Sequence, residues 1–125
     1  MQVGELLFVS GHGPYRDGAY TYLGKVDSEV SMEEAREAAR LTILNALANV
    51  RAALGTLDRV ERVVKLLGMV NSDPTFAAQP HVIDAASELL VDIFGQKGRH
   101  ARSAVGLGAL PGRISVEIEL ILAVS

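Results

Sequence analysis

"RHARSAVGLGALPGRISVEIELILAVS" runs from Arg99 to Ser125 and closes the chain. It reads as two strands, residues 101–109 and 115–124, joined by "LPGR", because short runs of strand formers flank a Pro-Gly turn signal. Side chains alternate across a strand, so Ser103, Val105, Leu107 and Ala109 share one face and Arg102, Ala104, Gly106 and Gly108 the other. In the last strand Val116, Ile118, Leu120 and Leu122 oppose Ser115, Glu117, Glu119 and Ile121. Bulk belongs under helices. On that rule Arg102 and both glutamates go to a helix-free face, among small neighbours that leave room for something to approach the sheet.

Upstream, "VERVVKLLGMVN" (60–71) is β-branched and apolar on both sides in its second half, the pattern of a strand covered on two faces. A helix precedes it. Ser31 and Glu34 form a capping box, Ala35, Ala39, Ile43, Ala46, Leu47, Val50 and Leu54 recur at helical spacing, and Gly55 closes the element. A second helix follows, with Pro80 as its first residue, an apolar stripe from Val82 to Phe94, and Gly95 as its stop. "ELLFVS" (5–10) is a first strand ended by "GHGPYRDG", and Tyr20, Tyr22 and Val26 suggest its hairpin partner. The order ββαβαββ gives an α+β fold: one mixed β-sheet with two helices packed on one face. "LILAV" near the end is apolar on both sides, so the second face is expected to be covered by another subunit.

One domain spans residues 1–125. Hydrophobic residues make up 49% and aromatics only 5%, so Val, Leu, Ile and Ala must fill the core. A net charge of -3 gives no general attraction for polyanions, which argues against nucleic acid as a partner. No cysteine is present, so disulfides, thiol nucleophiles and thiolate metal sites are excluded. No segment approaches the roughly 18 apolar residues of a membrane span, and "MQVGELLFVS" lacks a basic leader, so no membrane role and a cytoplasmic location are expected.

A buried arginine needs a partner, and guanidinium suits a planar carboxylate through two parallel hydrogen bonds. Two readings of Arg102 follow. Either it is ion-paired with Glu117 or Glu119, across the hairpin or an interface, or it holds an anionic substrate while a glutamate works on a water beside it.

"LLFVSGHGP" (6–14), "ARSAVGLGALP" (101–111) and "VEIELILAV" (116–124), with the same order of elements between them, resemble the YjgF/RidA family of small trimeric proteins. The resemblance implies a chorismate-mutase-like fold, a homotrimer with clefts between subunits, and a cofactor-free hydrolase. Characterised members release ammonia and a 2-keto acid from 2-imino acids, as 2-iminobutanoate/2-iminopropanoate deaminases. Carried over by motif, Arg102 binds the substrate carboxylate and Glu117 positions the attacking water, while Ser10, Gly11 and Ala104 line the ligand. The alternative is a non-catalytic trimeric binder of small carboxylic acids, or a protein-interaction module; Glu117 separates the two. Many family deaminases carry cysteine where this chain has Ala104, an asparagine of the family's second helix aligns weakly with Asp84, and the family's usual first strand with its tyrosine is not in this sequence.

Rival signals are weaker. Gly11-His12-Gly13 lacks the lysine and helix of a phosphate loop, so His12 reads as a hydrogen-bonded turn residue. No histidine pair has metal-ligand spacing, and no metal or organic cofactor is implied. Arg59, Arg62 and Lys65 are interrupted by Glu61 and lack interleaved aromatics, which reads as a solvated edge rather than an RNA surface.

Overall fold

The computed structural model describes residues 1–125. In chain order the elements are β1 (Gln2–Val3), β2 (Leu6–His12), β3 (Tyr15–Arg16), β4 (Ala19–Tyr20), α1 (Met32–Leu54), β5 (Val60–Asn71), α2 (Gln79–Phe94), β6 (Ala101–Leu107) and β7 (Val116–Val124). The helix signals work as read. Ser31 Oγ accepts from the Glu34 amide and Glu34 Oε1 accepts from the Ser31 amide, both at 3.1 Å. Gly55 ends α1 at φ 86°, a left-handed conformation that costs other residues a steric penalty.

Five strands make one sheet in the order β1-β2-β7-β5-β6. β7 is antiparallel to both β2 and β5, and β6 runs parallel to β5. The last two strands are therefore not a hairpin, because β5 lies between them. A parallel strand must be reached by a crossover, and α2 supplies it.

Both helices pack on one face. Leu7, Val63, Leu66, Ile118 and Leu122 point beneath them and are buried with Ile43 and Ala46 of α1 and Ile83 and Leu90 of α2. Each large aliphatic side chain enclosed there contributes about 1.5–3 kcal/mol over leaving it in water. The alanines of α1 bring its backbone close to the sheet.

The expected second strand at Tyr20, Tyr22 and Val26 does not form. Instead β3 and β4 make a two-residue hairpin in which Asp17 (φ 53°) and Gly18 (φ 87°) both adopt positive φ. Asp-Gly is among the sequences best suited to that turn. Tyr22 (φ 52°) and Asp27 (φ 85°) also sit at positive φ, which interrupts an extended run, and Val26 is held by isolated bridges to Val30 and Ser72.

On the sheet's other face Leu6, Phe8 and Val105 are 38%, 42% and 40% exposed, while Leu67, Met69 and Ile121 are half-buried. This uncovered face is as apolar as the sequence suggested. No helix is long and apolar enough to cross a membrane.

Candidate functional site

Arg102 sits opposite Leu66 in the parallel β5–β6 pair, and Leu66 in turn opposes Leu120. That register aims Arg102 toward the helices, contrary to the helix-free placement read from the sequence. The reason is steric. A Cβ on Gly68, opposite Ala104, would lie 2.7 Å from Ile83 Cγ1, so α2 comes down closely on this part of the sheet and only small residues fit beneath it. Small neighbours here mark a helix packed tight, and the larger Val105 faces the uncovered side.

Toward the start of β6 the flank of α2 leaves space for a guanidinium. Arg102 Nη1 donates to Asp84 Oδ1 at 2.8 Å and to Ser87 Oγ at 3.3 Å. Asp84 and Ser87 lie three residues apart on α2, hence on one helix face. The arginine side chain is 24% exposed. Its Nε and Nη2 make no hydrogen bond, so the edge that can grip a planar carboxylate is unengaged. Ser87, Val91, Arg99, His100 and Arg102 line an open depression there, and Ala104, half-buried, packs against the core on the same side.

Glu117 and Glu119 oppose Met69 and Leu67, placing both on the uncovered apolar face. Neither forms an ion pair, and the pairing of Arg102 with a glutamate is replaced by its bond to Asp84. Beside them β2 has a bulge: Val9 opposes Leu120 and His12 opposes Ile118, so Ser10 and Gly11 together face Glu119. Gly11 lies against the Glu117 carboxylate, and a Cβ there would stand 3.0 Å from its Cδ as well as clashing with Oε2.

The site residues thus fall into two groups on opposite faces. Arg102 and Ala104 belong to the α2 side; Ser10, Gly11 and Glu117 belong to the other. His12 is the last residue of β2 rather than a loop residue. Its Nδ1 bonds the Ser10 carbonyl at 2.6 Å and its Nε2 bonds Asn49 of α1 at 2.7 Å.

Sequence reading missed Ser87 and His100, which are bonded to each other at 2.9 Å beside Arg102. The signal available was a polar stripe, Asp84 and Ser87, running alongside the apolar stripe of α2. The basic strip keeps the solvated position read for it: Arg62 is exposed and Arg59 half-buried, and there Arg59 donates to the backbone oxygens of Ser125 and Leu54 and Arg62 to those of Gln96 and Arg99.

Comparison with known proteins fits this architecture. Residues 1–117 match the family described as "YjgF/chorismate_mutase-like, putative endoribonuclease". Protein TCP17 of Trypanosoma cruzi is 42% identical over 120 residues, which is 95% of this chain and 75% of that protein. The crystal structure of Atu1372, a protein of unknown function from Agrobacterium tumefaciens, superposes with a TM-score of 0.97 at 44% identity, covering 99% of this chain and 80% of that one. A "putative endoribonuclease" from Shewanella oneidensis superposes with a TM-score of 0.95 at 32% identity, covering 99% and 82%. Family match, sequence identity and sheet-and-helix layering agree, and the chain belongs to the YjgF family, with its chorismate-mutase-like fold.

Proposed function

We propose that the protein is a 2-imino acid deaminase acting in a cleft between protomers of a homotrimer. The observation that carries this reading is the guanidinium of Arg102, held at Nη1 by Asp84 and Ser87 with its Nε–Nη2 edge open. That geometry suits the carboxylate of a small metabolite. Arg102 and Glu117 point to opposite faces, so a single protomer cannot bring both to one small ligand. A second copy laid against the apolar face of Leu6, Phe8 and Val105 would bring its own half of the site, and that face is the kind a subunit covers.

In this cleft Arg102 fixes the substrate carboxylate and aligns the imine carbon. Glu117 of the neighbouring copy takes a proton from water as the water oxygen bonds to that carbon. That proton passes to nitrogen to give a carbinolamine; the remaining hydroxyl proton then moves by way of Glu117 to the amine as the carbon–oxygen double bond forms and the carbon–nitrogen bond breaks, and ammonia and a 2-keto acid leave. Water supplies the oxygen, so no electrons need to enter or leave.

An RNA-cleaving reading has less support, because Arg59 and Arg62 are engaged with backbone carbonyls. The test is ammonia release from enzymatically generated 2-iminopropionate. Glu117→Gln should lose at least about 100-fold, in the range for removing one positioned acid–base group, and should still bind 2-oxobutyrate, while Arg102→Ala should lose both turnover and keto-acid binding. A wild-type rate no faster than spontaneous hydrolysis would overturn the reading, and keto-acid binding without turnover would assign the cleft to a binder.

A further inference from the structure

His100 and Ser87 play no part in the reaction just described, yet they form a directional chain ending on Arg102. His100 Nδ1 lies 2.6 Å from the Gly98 carbonyl, which can only accept, so Nδ1 carries the hydrogen. In the neutral ring Nε2 is then an acceptor, and the Ser87 hydroxyl 2.9 Å away must donate to it. With its hydrogen committed, Ser87 Oγ offers a lone pair to Arg102 Nη1 at 3.3 Å. The far end of the chain is anchored. Gly98 is buried against the backbone of Leu90, and Arg62 Nη2 donates to the carbonyl of Gln96 at 3.1 Å, fixing the turn before β6.

We propose that Ser87 and His100 are positioning residues that hold the Arg102 guanidinium in one rotation, so that its Nε–Nη2 edge faces the ligand. Asp84 alone supplies one oxygen to Nη1 and leaves the plane of the group free to turn about that contact; Ser87 adds a second point and stops it. A serine bonded to a histidine also has the form of a hydrolytic pair. Here the serine oxygen is turned to the guanidinium, and the pair serves to orient it.

The proposal rests on the carboxylate-binding role of Arg102, and its test has one arm that needs a ligand and one that does not. In the first, 2-oxobutyrate binding is measured calorimetrically for wild type, Ser87→Ala, Ser87→Thr, His100→Ala, Arg102→Ala and the Ser87→Ala/Arg102→Ala double variant. Ser87→Ala should bind about tenfold more weakly, the effect of losing one hydrogen bond to a charged group. Ser87→Thr should return to near the wild-type value, His100→Ala should fall with Ser87→Ala, and the double variant should be no worse than Arg102→Ala. In the second arm, nitrogen NMR of the unliganded protein should show His100 with its hydrogen on Nδ1, and rotation of the Arg102 guanidinium should quicken in Ser87→Ala. Unchanged binding by Ser87→Ala, or a penalty that adds in full to that of Arg102→Ala, overturns the proposal. So does a hydrogen on Nε2, or covalent labelling of Ser87 by a fluorophosphonate. If the wild type binds no keto acid, the deaminase reading fails, and unchanged guanidinium rotation in Ser87→Ala would then overturn this one separately.

Discussion

Substituting Gly68 by alanine tests how tightly α2 is seated. The new methyl would meet three carbons of Ile83: Cδ1 and Cγ1 at 2.7 Å and Cγ2 at 2.8 Å. Carbon atoms in good contact stand about 3.5–4.0 Å apart, so roughly 0.8 Å or more must open between helix and strand. Gly68 and Ile83 are both buried, and neither has a free direction in which to move. Overpacking of this kind costs about 1–3 kcal/mol, and three simultaneous contacts place the cost at the upper end, about 2–3 kcal/mol. For a domain of this size the melting temperature should fall by about 6–12 °C. Ile83→Ala removes all three offending carbons, although alone it should cost about 2–5 kcal/mol by leaving a cavity. Combined, the alanine methyl at position 68 fills part of that cavity, so the pair should be more stable than the sum of the singles by about 1–2 kcal/mol. Urea unfolding of the four proteins at one fixed protomer concentration reads this coupling, because association would otherwise shift the midpoints. Additivity to within about 0.5 kcal/mol, or a Gly68→Ala protein as stable as wild type, would refute the account of why β6 carries small residues under the helix.

Three further outcomes follow from other parts of the molecule. Asp84→Asn keeps an oxygen for Arg102 Nη1 but removes the charge competing with a ligand, so 2-oxobutyrate should bind roughly two- to fivefold more tightly; weaker binding by calorimetry would contradict this. The backbone amide of Ser31, and then its hydroxyl, hold the Glu34 carboxyl below its ordinary value, so its stabilising effect is complete above about pH 4.3 and is lost as pH falls through the lower folded-state value. Glu34→Gln should therefore be less stable than wild type at pH 7, with the difference shrinking as pH falls below the ordinary carboxylate range in urea titrations, whereas a constant difference would exclude the linkage. Val105→Lys places a charge on a side chain already 40% exposed in the protomer, so folding should be unaffected while sedimentation shifts from the proposed trimer to monomer; wild type sedimenting as a monomer would contradict the trimer, and a variant as associated as wild type would mean this part of the face is not covered.

The helices were legible because their information is local. A capping box, a 3.6-residue stripe and a closing glycine all lie within one segment, and each works in α1 as read. Strand existence was equally plain for β5 and β7. Sheet order was not, since nothing in residues 101–124 says that β5 lies between the two strands, and the hairpin reading of Arg102 failed with it. The face of Arg102 is not legible from bulk, because α2 packs closely enough at Gly68 that small residues, not large ones, lie beneath it. Asp17-Gly18 was a readable turn that went unread beside a longer loop. Of the candidate site, Arg102 and Glu117 are singled out by type and motif, but Ser87 meets Arg102 only after α2 is laid across β6, and that approach is tertiary.

One extra residue in β2 sets the phase of everything that follows it. With strict alternation from Leu7 and Val9, position 11 would point at the helices and position 12 away from them. Two residues facing Glu119 reverse the parity, so the imidazole reaches α1 and the bare backbone of position 11 meets the carboxylate of Glu117. Taking out either Ser10 or Gly11 would restore plain alternation with the ring still on its present side, opposite Ile118, so the extra residue is what brings backbone without a side chain up to the acid.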